Sequence, residues 1–133
     1  MATITNISAT GGAPQVTVRG GQLARYTCLF SLLKPSGQTW PGTNSRIKII
    51  HEVTLNTDRS TDTFSLGDPQ SLRGLSLNWN IDIRVMGGGG PQQYSIQVDI
   101  NQDGSPVMEP SWTAGGQVTG EDTIVAGTKL GVA

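Results

Sequence analysis

Residues 75–85 alternate strictly in character. Leu75, Leu77, Trp79, Ile81, Ile83 and Val85 are apolar, and Ser76, Asn78, Asn80, Asp82 and Arg84 between them are polar. A period of two over this length is that of a β-strand with one buried face. The other face sets a hydroxyl, two amides, a carboxylate and a guanidinium in a row. Groups of that kind donate and accept hydrogen bonds at fixed spacing, so they can read a polar ligand such as nucleic acid. The competing reading of the same row is an ordinary solvated sheet face.

Other residues with chemical potential are few. Arg46 and Lys48 share parity in residues 46–55, with Ile47 and Ile49 on the opposite parity. Cations two apart on a strand point the same way and suit phosphate contact. Asp99, Asn101, Asp103 and Gly104 match the first half of a calcium loop. The twelfth position of such a loop requires a bidentate Glu and is Pro110 here, so a hairpin turn is the preferred reading. The glycine run 87–90 lacks the helix and the Lys-Ser/Thr pair of a phosphate loop and reads as a flexible break.

Catalytic groups are scarce. The chain has one His and one Cys, His51 and Cys28, far apart in sequence. Cys28 sits at an alternate position of an apolar run and reads as a small buried hydrophobe, with no disulfide open to it. Asp58, Asp62 and Asp68 lie in turn-rich sequence and read as solvated. No triad, zinc spacing or metalloprotease motif is present, so an enzyme is the least expected class and no cofactor is called for. Trp79 reads as core. Trp40 with Pro41, and Trp112 after Pro110, fall in loops, where an aromatic either folds back or meets a partner.

The elements that must position these groups are extended. With 133 residues, 18 glycines, 7 prolines and only 14% charged residues, the chain reads as one mainly β domain with short connections. Residues 3–9 and 15–19 flank a Gly11-Gly12 tip and suggest an N-terminal β-hairpin within residues 1–20. Residues 23–100 hold the central antiparallel sheet, with strands at 23–33, 46–55, 61–66, 72–86 and 94–100. The alternation slips at Ile49-Ile50, where a bulge is expected. Residues 101–133 read as an irregular C-terminal arm with one short strand near 123–125. A β-sandwich is the alternative architecture.

Net charge is −1, which argues against a strongly basic binder, yet the charge is unevenly spread. Residues 1–54 carry a balance of +4 and residues 99–133 a balance of −4. A folded chain can therefore present one basic and one acidic surface. The first residues show no basic and no apolar region of a signal peptide, and no stretch is apolar enough for a membrane helix. No membrane association is expected.

The order of these elements resembles the coat proteins of small single-stranded RNA bacteriophages. The likeness is one of pattern over residues 2–108. It runs through the stretch from Ile7 to Val18 about Gly11-Gly12, then Arg46-Ile47-Lys48-Ile49. It continues through the polar alternation from Leu77 to Asp82 and ends in Asp103-Gly104-Ser105-Pro106. It implies a five-stranded antiparallel sheet per subunit, short C-terminal helices that clasp a partner, and a homodimer that assembles into a T=3 icosahedral shell. It implies RNA on the inner sheet face, touched by Arg46, Lys48, Ser76, Asn78, Asn80 and Asp82, in a virion assembled in the host cytoplasm. The C-terminal part departs from that family: residues 94–100 alternate as a strand, and residues 109–133 are rich in Gly and Thr. The rival expectation is a monomeric β-sandwich that binds protein or carbohydrate through Trp40 and Trp112.

Overall fold

The alternating stretch forms β6 (Ser76–Val85), and its apolar residues Leu77, Trp79, Ile81 and Ile83 are all but removed from solvent. The computed structural model describes residues 3–22, 24–85 and 90–133. β6 lies at the centre of a first sheet. Antiparallel β3 (Ala24–Leu33) flanks it on one side and antiparallel β10 (Glu121–Val132) on the other. β4 (Ile47–Leu55) adds beyond β3, and β1 (Thr3–Ile7) adds beyond β10 in parallel. The strand order is β1-β10-β6-β3-β4.

A second sheet closes the core from the opposite side. Its order is β5 (Thr61–Ser65), β2 (Gln15–Gln22) and β7 (Gln92–Gln102). The far edge of β7 is shared by β8 (Ser105–Pro106) and β9 (Trp112–Val118). Val16 and Val18 from β2, with Ile96, Val98 and Ile100 from β7, join one apolar cluster with Tyr26, Cys28 and Phe30 of β3 and the inward residues of β6. The expected mainly β character is present, in the two-layer form of a sandwich rather than a single sheet. Each large side chain so buried contributes about 1.5–3 kcal/mol. A 3-10 turn, Pro69–Leu72, is capped by Asp68, whose carboxylate accepts from the Gln70 amide at 3.1 Å, and it buries Leu72.

Three expectations are corrected. First, β1 and β2 do not form a hairpin. β1 pairs with β10 in the first sheet and β2 with β5 and β7 in the second, so residues 8–14 cross between layers. Local alternation shows which residues face inward but not which strand lies alongside. Buried hydroxyls of Thr5 and Thr128 meet at 2.8 Å across the β1–β10 pair. Second, residues 101–133 are not an irregular arm and form no helices among the described residues. They hold β8, β9 and the twelve-residue β10. The small residues Gly115, Gly116, Ala126 and Gly127 weaken the alternation that would have marked these strands. Third, a single five-stranded sheet clasped by C-terminal helices is not what forms, because those residues complete both layers.

Other expectations hold. Residues 94–100 lie within β7, and Asp103 and Gly104 turn the chain at φ of 53° and 79°, as a tight two-residue hairpin requires. The bulge falls where the alternation slips: Phe30 pairs with His51 and Ser31 with Ile49, leaving Ile50 over. The glycine run 87–90, apart from Gly90, lies outside the described residues, as do Leu23 and the first two residues.

The crossing of residues 8–14 is organised by Gln102, which is 5% exposed. Its amide donates to the Ser8 carbonyl at 2.8 Å and the Gly12 carbonyl at 2.9 Å, and accepts from the Ser8 amide at 2.8 Å. Replacing it with Ala removes three hydrogen bonds to the backbone of Ser8 and Gly12, a loss of about 1–3 kcal/mol at about 0.5–1.5 kcal/mol for each bond. We expect Gln102→Ala to lower the urea midpoint accordingly, with an unchanged denaturant slope; equal midpoints would show that the crossing is held by other contacts.

Candidate functional site

The outer face of the first sheet carries the polar row of β6. Its register aligns Ser76 with Leu33 and Lys129, Asn78 with Ser31 and Gly127, Asn80 with Leu29 and Val125, and Asp82 with Thr27 and Thr123. Asp82 accepts from the Thr123 hydroxyl at 2.7 Å, and Arg84 pairs with Glu121 at 2.5 Å. Asn78 lies over Gly127, where a Cβ would stand 2.2 Å from its Oδ1, so glycine there makes room for the amide. Ser76, Asn78, Asn80 and Asp82 thus share one surface, as their parity requires.

Lys48 does not share it. The Ile50 bulge inverts the phase of β4 toward its start, as a one-residue slip does. Lys48 pairs with inward-facing Leu32, while Ile47 and Ile49 pair with outward-facing Leu33 and Ser31. Arg46 precedes β4 and donates through Nε to the Lys34 carbonyl at 3.1 Å. The expected grouping therefore splits into a polar face on β6 and a cationic tip at the β3–β4 connection.

That tip is built around Trp40, which the sequence marks only as a loop aromatic. The Trp40 Nε1 donates to the Arg46 carbonyl at 2.9 Å, and its backbone amide to the Ser45 carbonyl at 3.0 Å. The Lys34 and Lys48 ammonium groups stand over the indole, 4.8 and 5.1 Å from the ring centroid. The negative π-cloud of the ring attracts each of them. A cleft of about 450 Å³ lies against Trp40, Pro41, Thr43, Ile47 and Lys48. A second, of about 440 Å³, is lined by residues 33–36 together with Arg46, Gly74, Ser76 and Lys129. Among the described residues the ion pairs are Arg19–Asp99, Arg59–Asp62 and Arg84–Glu121, with a His51–Asp62 hydrogen bond beside them, and none takes a cation from this tip.

Trp112 is not a loop contact. It starts β9 and meets the ring of Trp79 edge-on, with centroids 5.5 Å apart. The half-calcium-loop residues are engaged separately. Asp99 accepts from Gln97 at 2.9 Å and from Ser111 and faces Arg19, whereas Asp103 accepts from the Gly12 amide at 3.1 Å. No group of three or more His, Cys, Asp or Glu able to hold a metal occurs among the described residues.

Asp62 corrects the expectation of solvation. It lies on β5 with its side chain 8% exposed and bridges the sheet edges, taking His51 Nε2 of β4 and Arg59 Nη2 at 2.6 Å each. The His51 ring stacks on Phe64 at 4.2 Å. Alternation in β5 is too short to show this burial. Asp62→Asn exchanges two charge-assisted bonds for weaker ones and is expected to cost about 2–3 kcal/mol in urea unfolding; a loss below half of that would mean the bridge is incidental.

Cys28 is fully buried, and burial pushes its thiol up to about 12, with the nearby Asp62 charge adding to the rise. The folded state thus favours the protonated thiol. The stability from this group is present below the unfolded thiol value and is lost as the pH rises toward 12. We expect no thiolate absorbance at 240 nm in the folded protein at pH 10, with the signal appearing on unfolding; a folded-state thiolate at that pH would refute the assignment.

No family model, no curated protein and no solved structure matches this chain.

Proposed function

We propose that this chain is a self-associating structural subunit of viral-coat type that binds RNA, and that it is not an enzyme. The observation that carries the reading is where its apolar surface lies. The large exposed hydrophobics Ile4, Ile47, Ile49 and Val125 are 58%, 55%, 61% and 68% exposed. By register all four lie on the outer face of the first sheet, Ile4 and Val125 on one side of the polar β6 row and Ile47 and Ile49 on the other, beside the half-buried Leu29 and Leu33. Large apolar residues on both flanks of one exposed sheet face favour that face as an interface between protein chains. The cationic tip at one end of that sheet supports the RNA part. Its charges are free of acidic partners among the described residues and are suited to phosphates. In this reading the chain would work in a virion and assemble in the host cytoplasm.

Trp40 favours a second reading, a monomeric sandwich that binds protein or carbohydrate through its tip. The indole is only half-buried and borders a cleft with Pro41. Trp112 adds nothing to this reading, because Trp79 takes it up.

Light scattering coupled to size exclusion, with the 260/280 nm absorbance ratio, separates the two. Assemblies far above 14.0 kDa that carry nucleic acid are expected. Ile49→Lys combined with Val125→Lys should return the protein to small, folded species, because charges on an apolar interface oppose association. A wild-type monomer free of nucleic acid would overturn the coat reading in favour of the binding module.

A further inference from the structure

We propose that the β3–β4 tip is a binding site for single-stranded RNA. One phosphodiester would occupy the cleft of Lys34, Arg46 and Lys129, and one base would occupy the neighbouring cleft of Trp40. The inference rests on the reading of this chain as an RNA binder for the identity of the ligand alone, and it moves the site away from the amide row of β6.

Two independent features meet at this tip. The first is charge without a counter-charge. Lys34, Arg46 and Lys129 line one cleft together with the hydroxyl-bearing Ser36 and Ser76, and no carboxylate lines it. Lys48 faces the other cleft two residues beyond Arg46. The Arg46 side chain and the Trp40 indole are anchored by hydrogen bonds to backbone carbonyls, so these groups are held in place before any ligand arrives. Cations in a confined, partly apolar setting with hydroxyl donors beside them suit a phosphodiester.

The second feature is an aromatic, apolar recess beside the charges. Trp40, Pro41 and Ile47 line it, and Arg46 and Ile47 are consecutive residues facing the two clefts. A cationic groove next to an aromatic platform is the general solution for single-stranded nucleic acid, because every base has a π-face and every nucleotide a phosphate. A sulfated glycan would also use the charges and would stack a sugar ring on the indole, so heparin is the competing probe in the test below. A neutral sugar would find no carboxylate in either cleft to accept its hydroxyls. Lys34 and Lys48 rest over the Trp40 ring. A phosphate that draws either ammonium aside would therefore also open the ring to a base.

The test uses the full chain, freed of any bound nucleic acid by high salt, with a short fluorescein-labelled oligouridylate followed by anisotropy. Trp40→Ala, and Lys34→Gln combined with Lys129→Gln, should each weaken binding by about tenfold or more. The lysine variant should also reduce the slope of log affinity against log salt by about one to two. Arg19→Gln, on the other sheet, should change neither. The inference is overturned by oligouridylate affinity that survives all tip variants, by binding of heparin but not oligouridylate, or by binding of inorganic phosphate alone. Folding of each variant is read from its unfolding midpoint. The outcome is distinguishable from that of the assembly reading. Assemblies that persist while tip variants bind RNA normally overturn only the site, whereas a monomer that binds oligouridylate through the tip overturns only the assembly.

Discussion

The burial of β6 and β3 against β2 and β7 positions nearly everything else in this protein. Leu77, Trp79, Ile81 and Ile83 face Val98, Ile100, Val16 and Val18 across a single apolar layer, with Cys28, Phe30 and Tyr26 beside them. Once those residues are inward, strand geometry leaves no choice for their neighbours, which must all point to the outer surface. The polar row of β6 is thus a consequence of core formation. The same constraint governs β7, where inward Ile96, Val98 and Ile100 carry on to Gln102, the buried amide that ties down the chain crossing between the layers.

One irregularity in this regular arrangement has large consequences. Without the extra residue at Ile50, the inward phase of Val53 and Leu55 would continue through His51 to Ile49 and Ile47, and both isoleucines would be core. The bulge reverses that phase, so the isoleucines turn outward and Lys48 turns toward Trp40. The outward Ile47 and Ile49 and the placing of Lys48 at the Trp40 indole therefore share one structural cause. Bulges re-aim side chains in this way.

The two layers are also joined by polar contacts at their edges. Asp62 of β5 reaches His51 of β4, and the stacked His51 and Phe64 rings continue into Phe30. Tyr26 donates its hydroxyl to the Gly21 carbonyl and accepts from the Ser95 amide, linking β3 to the β2–β7 pair. Burial raises the phenol's ionisation above its usual value, which keeps that donor in place over the ordinary pH range. These contacts fix how the sheets sit on one another more sharply than apolar packing alone does, since hydrogen bonds are directional and hydrophobic burial is not.

Strand identity and facing were legible in the residues themselves. The alternation in β3, β6 and β7, the slip at Ile49-Ile50, the turn at Asp103-Gly104 and the buried character of Cys28 all follow from local periodicity and turn chemistry. Partnership was not legible. That β1 lies parallel to β10, that β2 leaves β1 for β7, and that the Gly- and Ala-containing β9 and β10 are strands at all depend on residues distant in the chain. Period-two patterning encodes a face, while the neighbour across a sheet is chosen by tertiary packing. The site divides in the same way. Sequence parity alone joined Ser76, Asn78, Asn80 and Asp82 on one surface. Only the fold could show which partner residues Lys48 meets beyond that slip, and that loop closure brings Lys34, Trp40, Arg46 and Lys129 to one tip.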